Sequence, residues 1–387
     1  MKKVLKICGN DWKNASHDKR ELSAVKELGA DVEVMAKGEK SGIIDNVDGF
    51  CVYRVSTRPL GTHIPNSINR IISLFTWASF ARKRHADIIT GHDIIGLFVG
   101  YLSNVCKKNK ALLVYDSHEF EAGQTNLRSP FYTWVICKLE KYLMKKSQFT
   151  IMVNESIAEE IRKLYNFSGK IICARNMAEY WNIDHDQILK TRKQILEINN
   201  WPQEAFIVMY HGALLRDRGI ESIIKLLTIN KEVNAIILGD PHEPSYLESL
   251  KVMACNCDVA DRIYFHNAVP LSDLYKYVGS ADVGMIVHEN LSQNHYYSLP
   301  NKLFENIQSL TPIIGPFFPE IKKIIETYEI GLTMDPSDIE SINNSVEKMR
   351  CDKDFYKSCK EHLAFAKEEL CWEREKEKIK EAYKLIL

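Results

Sequence analysis

The side chains with the clearest chemical capacity stand in two short segments. The first, YHGALLRDRGIESIIKLL at 210–227, runs from a strand end at Tyr210 into a helix opened by Arg218 and Gly219. Gly212 lets the backbone approach a ligand closely, because it carries no Cβ. A helix N-terminus beside a guanidinium is an anion site, since its free N–H groups and the fixed charge act together. Arg216 is a second candidate cation there. The second segment, HYYSLPNKLFENIQSLTPIIG at 295–315, sets Pro300 in the first turn of a helix. Lys302 and Glu305 are three apart and share one helix face. A lysine at such a helix start suits a diphosphate. A glutamate one turn further in accepts hydrogen bonds from two ribose hydroxyls. Each segment also fits a purely structural role, as a connection with solvated arginines and as a surface Lys–Glu pair.

Both segments need strands behind them, and the hydrophobic pattern supplies these. Val4 to Cys8 is a strand, Gly9 to His17 a loop, Asp18 to Leu28 a helix closed by Gly29, and Val32 to Ala36 a second strand. That order opens a doubly wound parallel sheet. It continues through Ile88–Thr90, a helix from about Ile94 to Lys107, Ala111–Tyr115, a helix near Phe131 to Lys146, and Thr150–Val153. The pattern then restarts with Lys170–Ala174 as a strand. A polar helix from about Gln187 to Asn199 follows. Strands come next at Phe206–Tyr210, Asn234–Leu238, Arg262–Phe265, Val283–Val287 and Pro312–Ile314, with a long Lys/Glu-rich helix over Cys371–Leu387. The expected fold is α/β, with two Rossmann-like doubly wound parallel-sheet domains facing a cleft. Such a cleft is a preferred ligand site.

Composition removes several classes. The chain has 387 residues, enough for two or three domains. With 51 basic and 51 acidic residues the net charge is zero, which argues against a strongly electrostatic nucleic-acid binder. Ten cysteines are scattered with no CxxC pair, as expected for reduced, mostly buried thiols in a cytoplasmic protein. No signal peptide is visible, and the longest apolar run, Ile94 to Leu102, is too short to span a bilayer. Neither G-x-G-x-x-G nor G-x-x-x-x-G-K-[ST] occurs, which speaks against ordinary nicotinamide, flavin or P-loop chemistry.

With these segments in view, the sequence resembles the GT-B retaining glycosyltransferases of the large family 4, over nearly its whole length. The carrying motifs are YHGALLRDRGIE (210–221), ILGD (237–240), PLSDLYKYVGSADVGMI (270–286), SLPNKLFE (298–305) and CWEREKEKIKEAYKLI (371–386). The resemblance implies a transferase of hexosyl type, independent of metal. Its donor would be a UDP- or GDP-type sugar, and its acceptor a hydroxyl of a glycan or lipid-linked carrier in cell-surface polysaccharide synthesis. By the same resemblance, Gly212, Arg216, Arg218, Ser298, Leu299, Asn301, Lys302 and Glu305 hold the donor. Residues 177–370 form the donor domain, 1–176 the acceptor domain, and 371–387 a helix crossing back to the latter.

Two positions depart from the family pattern. Ala213 stands where many members have Arg, and Tyr297 where many have a first glutamate. In the acceptor domain the implied functional loop is Gly9–Asp11 to Ser16–His17. His92 in Gly91-His92-Asp93, with His118 and Glu119 in the stretch Asp116 to Phe120, are the candidate catalytic residues. All three follow strands, where parallel sheets bind ligands. Asp184-His185-Asp186 has the D-x-D form of a metal motif but sits in a polar, linker-like stretch. Residues 68–85 and 131–147 mix aromatic and basic side chains and make an anionic membrane surface a further partner. The alternatives are a nucleotide-sugar epimerase of the same fold and a non-catalytic nucleotide-sugar-binding subunit.

Overall fold

The structure is a computed structural model that describes residues 1–123 and 129–387. Its backbone divides into two compact units, Met1–Asn176 together with Glu375–Leu387, and Met177–Arg374.

Unit 1 is built on strands β1 (Lys3–Cys8), β2 (Asp31–Gly38), β3 (Ile43–Val47), β4 (Phe50–Ser56), β5 (Ile88–His92), β6 (Leu112–Ser117), β7 (Phe149–Met152) and β8 (Ile171–Cys173). Their order in the sheet is β3-β4-β2-β1-β5-β6-β7-β8. Helices α1 (Ser16–Glu27), α2 (Asn66–Arg82), α3 (Asp93–Asn104), α4 (Pro130–Met144) and α5 (Glu155–Tyr165) supply the crossovers. Val4, Leu5, Ile7 and Cys8 in β1 are fully buried, as a central parallel strand requires. So is Lys6, whose ammonium therefore needs partners inside the protein.

The sequence reading passed over β3 and β4. They form an antiparallel hairpin closed by Asp48-Gly49, both at positive φ, the Asp-Gly signal of a two-residue turn. It also placed Lys170–Ala174 at the start of the second pattern. In the structure β8 pairs with β7 and finishes the first sheet.

Unit 2 carries β9 (Phe206–His211), β10 (Val233–Leu238), β11 (Ile263–His266), β12 (Val283–Met285), β13 (Ile313–Pro316) and β14 (Gly331–Met334). The order is β11-β10-β9-β12-β13-β14, all parallel. Its helices are α6 (His185–Asn199), α7 (Glu221–Ile229), α8 (Pro244–Asn256), α9 (Leu271–Ser280), α10 (Gln293–Tyr296), α11 (Asn301–Gln308), α12 (Pro319–Tyr328), α13 (Ile339–Cys351), α14 (Lys353–Glu369) and α15 (Trp372–Lys384). The last part of α15 belongs to unit 1, where Ile379, Ala382 and Tyr383 are buried. Winding reverses between β9 and β12 in unit 2 and between β1 and β5 in unit 1. The carboxyl ends at such reversals are where open α/β sheets leave a crevice.

Several motif residues prove to be scaffolding. Asp184 is the N-cap of α6 and accepts hydrogen bonds from the N–H groups of Asp186 and Gln187, which accounts for the D-x-D stretch. Asp282 accepts from Ile207 N at 2.7 Å and pairs with Arg192 at 3.1 Å. Gly284 is glycine because a Cβ there would collide with the Asn306 amide of α11. All ten cysteines are free. Only Cys8, Cys359 and Cys371 are buried, fewer than expected, because Cys106, Cys255 and Cys351 lie at exposed helix ends.

Candidate functional site

At the reversal in unit 2, β9 ends in His211 and continues into Gly212, which adopts a φ of 119°. Opposite stands the first turn of α11. A Cβ on Gly212 would be 3.8 Å from Lys302 Nζ, so the lysine lies against the bare backbone of this turn. Helix α11 starts at Asn301, with Pro300 as its cap rather than in its first turn. Lys302 Nζ stands 3.7 Å from the centre of the Tyr210 ring. Burial pushes its amine down to about 7, and the nearby Arg218 guanidinium pushes the same way. Glu305 and Asp217 pull the other way but do not outweigh burial, and Lys302 makes no ion pair among the described residues.

One turn on, Glu305 meets His211, with Oε2 and Nε2 2.9 Å apart. Helical spacing from Lys302 and the strand end at His211 together fix where that carboxylate points. Arg218 is the last residue of a short turn over 216–218 closed by Gly219, at φ 67°, where any Cβ would strike the Val287 carbonyl; α7 starts only at Glu221, so Arg218 and Gly219 precede the helix rather than open it. Ser298 Oγ donates to the His295 carbonyl and lies 3.0 Å from His288 Nε2. Burial holds the His288 imidazole down to about 3, with Lys302 and His295 adding to the effect. Leu299 packs against the apolar layer under α11, and Asn301 is its exposed first residue.

Arg216 is the predicted donor residue that the structure does not bring to Lys302. Its guanidinium lies 5.0 Å from the Tyr246 ring centre and faces Glu243. Sequence reasoning missed His211, His288 and His295. His211 had a signal, since it immediately precedes the motif glycine at a strand end.

At the reversal in unit 1, His92 ends β5. Its Nδ1 is 2.9 Å from Asp18 Oδ1 and its Nε2 is 3.1 Å from Asp93 Oδ2. Burial alone would lower this imidazole, but the bonds to Asp18 and Asp93 outweigh it and raise it to about 10. His118 Nε2 lies 2.9 Å from Asp116 Oδ2 and is likewise raised against its burial. Buried His17, edge-on to His118 at 4.4 Å, is pushed down to about 3 by burial and by that neighbour's charge. The cluster thus favours the charged form at His92 and His118 and the neutral form at His17.

Beneath them Lys6 pairs with Asp18, Glu21 and Asp116. Tyr383, arriving on α15, donates to Glu21 at 2.9 Å and lies 2.7 Å from Thr90 Oγ1. Asp18, His92, Asp116 and His118 form a metal-like group among the described residues, with ligand atoms within 4.8 Å. The Lys6 ammonium already serves both carboxylates there. Glu119 is exposed, and its carbonyl accepts from Ser117 Oγ at 3.1 Å.

Residues 191–363, within unit 2, match the family model described as glycosyl transferases group 1. No curated protein matches the chain in sequence. Solved structures do match in fold. Sucrose-phosphate synthase from Thermosynechococcus elongatus superposes with a TM-score of 0.80 at 15% identity, covering 100% of this chain and 99% of its own. The Anabaena protein HepE, in complex with UDP and glucose, gives 0.73 at 14%, covering 100% of both chains. A Rickettsia africae glycosyltransferase gives 0.74 at 13%, covering 100% and 98%. The fold is that of the GT-B glycosyltransferases, two parallel-sheet α/β domains.

Proposed function

We propose that the protein is a retaining, metal-independent glycosyltransferase. It moves a sugar from a UDP- or GDP-type sugar to a hydroxyl of a glycan or lipid-linked acceptor in polysaccharide synthesis. The observation that carries this is Lys302, set against the Tyr210 ring and Gly212, one turn from a His211-oriented Glu305 on the same helix face at the unit 2 reversal. Lys302 and Arg218 suit the diphosphate, and Glu305 Oε1 suits a ribose hydroxyl. The family match over 191–363 and the UDP bound by HepE point the same way. As the bond from the anomeric carbon to the diphosphate breaks, negative charge grows on the leaving oxygen, where the two cations stabilise it.

Unit 1 takes the acceptor. His92 is held charged by Asp18 and Asp93, so it serves as a positive charge rather than a base, with His118 raised in the same direction by Asp116. The proton of the acceptor hydroxyl then leaves on the departing diphosphate. A membrane surface fits the same side of the reading. No described helix is long and apolar enough to cross a membrane. Helix α2 exposes Ile68, Ile71 and Phe75, and α4 exposes Phe131, Tyr132 and Trp134 beside Lys138, Lys145 and Lys146. Neither helix carries an exposed acid. The test is proton NMR of UDP- and GDP-sugar mixtures with glycan acceptors. Nucleotide release with an unchanged anomeric configuration supports the proposal. An inverted product, or none with Lys302→Ala indistinguishable from wild type, contradicts it.

A further inference from the structure

A cavity in unit 1 lies at the carboxyl ends of β2 and β4 and the start of α2. Its volume is about 710 Å³. Lys37 from β2, Arg58 from the loop after β4, and Arg70 from α2 line it. All three are exposed, and among the described residues none forms an ion pair. Two acids also line it, Asp11 and Glu39. Asp11 is already engaged. Its carboxylate accepts from Arg54 Nη1 at 3.0 Å and from Lys13 N at 3.2 Å, and these contacts hold it below the usual carboxylate range. Arg54 is buried and also donates to the Lys37 carbonyl at 3.1 Å, so the wall between Asp11 and Lys37 is built, not a loose fold of surface loops. Among the described residues, Glu39 is the lining acid left without an ion pair, beside three cations that also have none.

The cavity also joins the histidine cluster through a single short loop. Asn10 lies 3.4 Å from His92 Nε2, its carbonyl accepts from Lys37 N at 3.3 Å, and the next residue, Asp11, lines the cavity. One residue of the lining, Asp11, is thus next in the chain to the residue that touches His92. The uncapped start of α2 adds free N–H groups on the same side, with Asn66 in the lining and no acid in the first turn.

We propose that this cavity seats an oxyanion carried by the acceptor, a phosphate next to the sugar or lipid that receives the glycosyl group. The inference rests on the transferase reading and narrows its acceptor to a phosphate-bearing one. Guanidinium groups suit a phosphate because they present paired donors in a fixed fork. The cavity is wide enough for a hexose with its phosphate.

The test is calorimetric titration of wild type, Arg58→Ala/Arg70→Ala and Glu39→Gln. The probes are glucose 1-phosphate, methyl glucoside, and phosphatidylcholine vesicles with or without polyprenyl monophosphate. Wild type is expected to bind a phosphate-bearing probe and not methyl glucoside. The double variant should bind it at least about 10-fold more weakly, and Glu39→Gln more tightly. Binding of glucose 1-phosphate identifies a soluble acceptor; binding confined to the polyprenyl vesicles identifies a lipid-borne one. Equal affinity in wild type and double variant, or no binding of either phosphate probe, overturns the inference. UDP titrated into the same proteins separates the two failures. UDP that binds normally while the phosphate probes fail leaves the transferase reading standing without this site. UDP that fails to bind wild type counts against the transferase reading itself.

Discussion

His92 shows how far neighbours can move one side chain. Its free imidazole would titrate near neutrality, yet Asp18 and Asp93 hold it protonated up to about 10. A histidine with a raised folded pKa contributes stability that is fully present below its unfolded value of about 6.5 and is lost as pH rises through about 10. Asp18→Asn removes the Nδ1 partner. NMR titration of the His92 ring protons should then move its midpoint down by more than one unit, and the alkaline fall in melting temperature should flatten. An unmoved midpoint would mean that Asp18 does not set the charge. The presence of histidines at strand ends was legible in the sequence. Their protonation was not, because Asp18 and Lys6 come from α1 and β1, and nothing in their spacing from His92 shows that they meet it.

Elements hold these groups by close packing. Helix α11 carries both Lys302 and Glu305, and it rests on Gly284 of β12 through Asn306, whose Nδ2 also donates to the Lys302 carbonyl. Gly284→Ala should cost about 1–3 kcal/mol, as overpacked cores do. Trimming the neighbour in Gly284→Ala/Asn306→Ala should recover part of the melting temperature. A tolerated single substitution would show that α11 is not seated this way. On the other unit, α4 is expected to hold the protein on vesicles rich in anionic lipid, with Phe131→Ala/Trp134→Ala and high salt each weakening co-sedimentation. Equal sedimentation on neutral vesicles would contradict that. Helix and strand positions around the motifs followed from periodicity. The hairpin of β3 and β4 did not, because β3 is short and largely exposed and an antiparallel pair interrupts the strand–helix alternation.

Across the whole molecule, chain ends and middle depend on each other. Unit 1 contains the first 176 residues and the last thirteen, Glu375–Leu387. Tyr383 is buried against Glu21, whose carboxyl is pushed up to about 7 by burial despite Lys6. Tyr383→Phe leaves Glu21 short of a donor and should destabilise unit 1 by about 1–3 kcal/mol. The resulting shift should appear in amide exchange of β1 and β5 while unit 2 amides stay unchanged. A uniform shift, or none, would refute the local role. The two-domain α/β order was legible from alternating strands and helices alone. Alternation alone did not say which sheet β8 joins, because an edge strand looks the same whether it ends one sheet or begins the next.

The claim that unit 2 is a nucleoside-diphosphate site is tested most directly by calorimetric titration of UDP and GDP into wild type and Lys302→Met between pH 6 and 9. With its amine near 7, free Lys302 is charged below that pH and neutral above it. One nucleotide should bind wild type, more weakly as pH rises through about 7, with proton uptake on the alkaline side. Lys302→Met should lose at least about 10-fold in affinity and the proton uptake with it. Binding that is absent for both nucleotides, or that is the same in Lys302→Met with no pH dependence, would contradict the account.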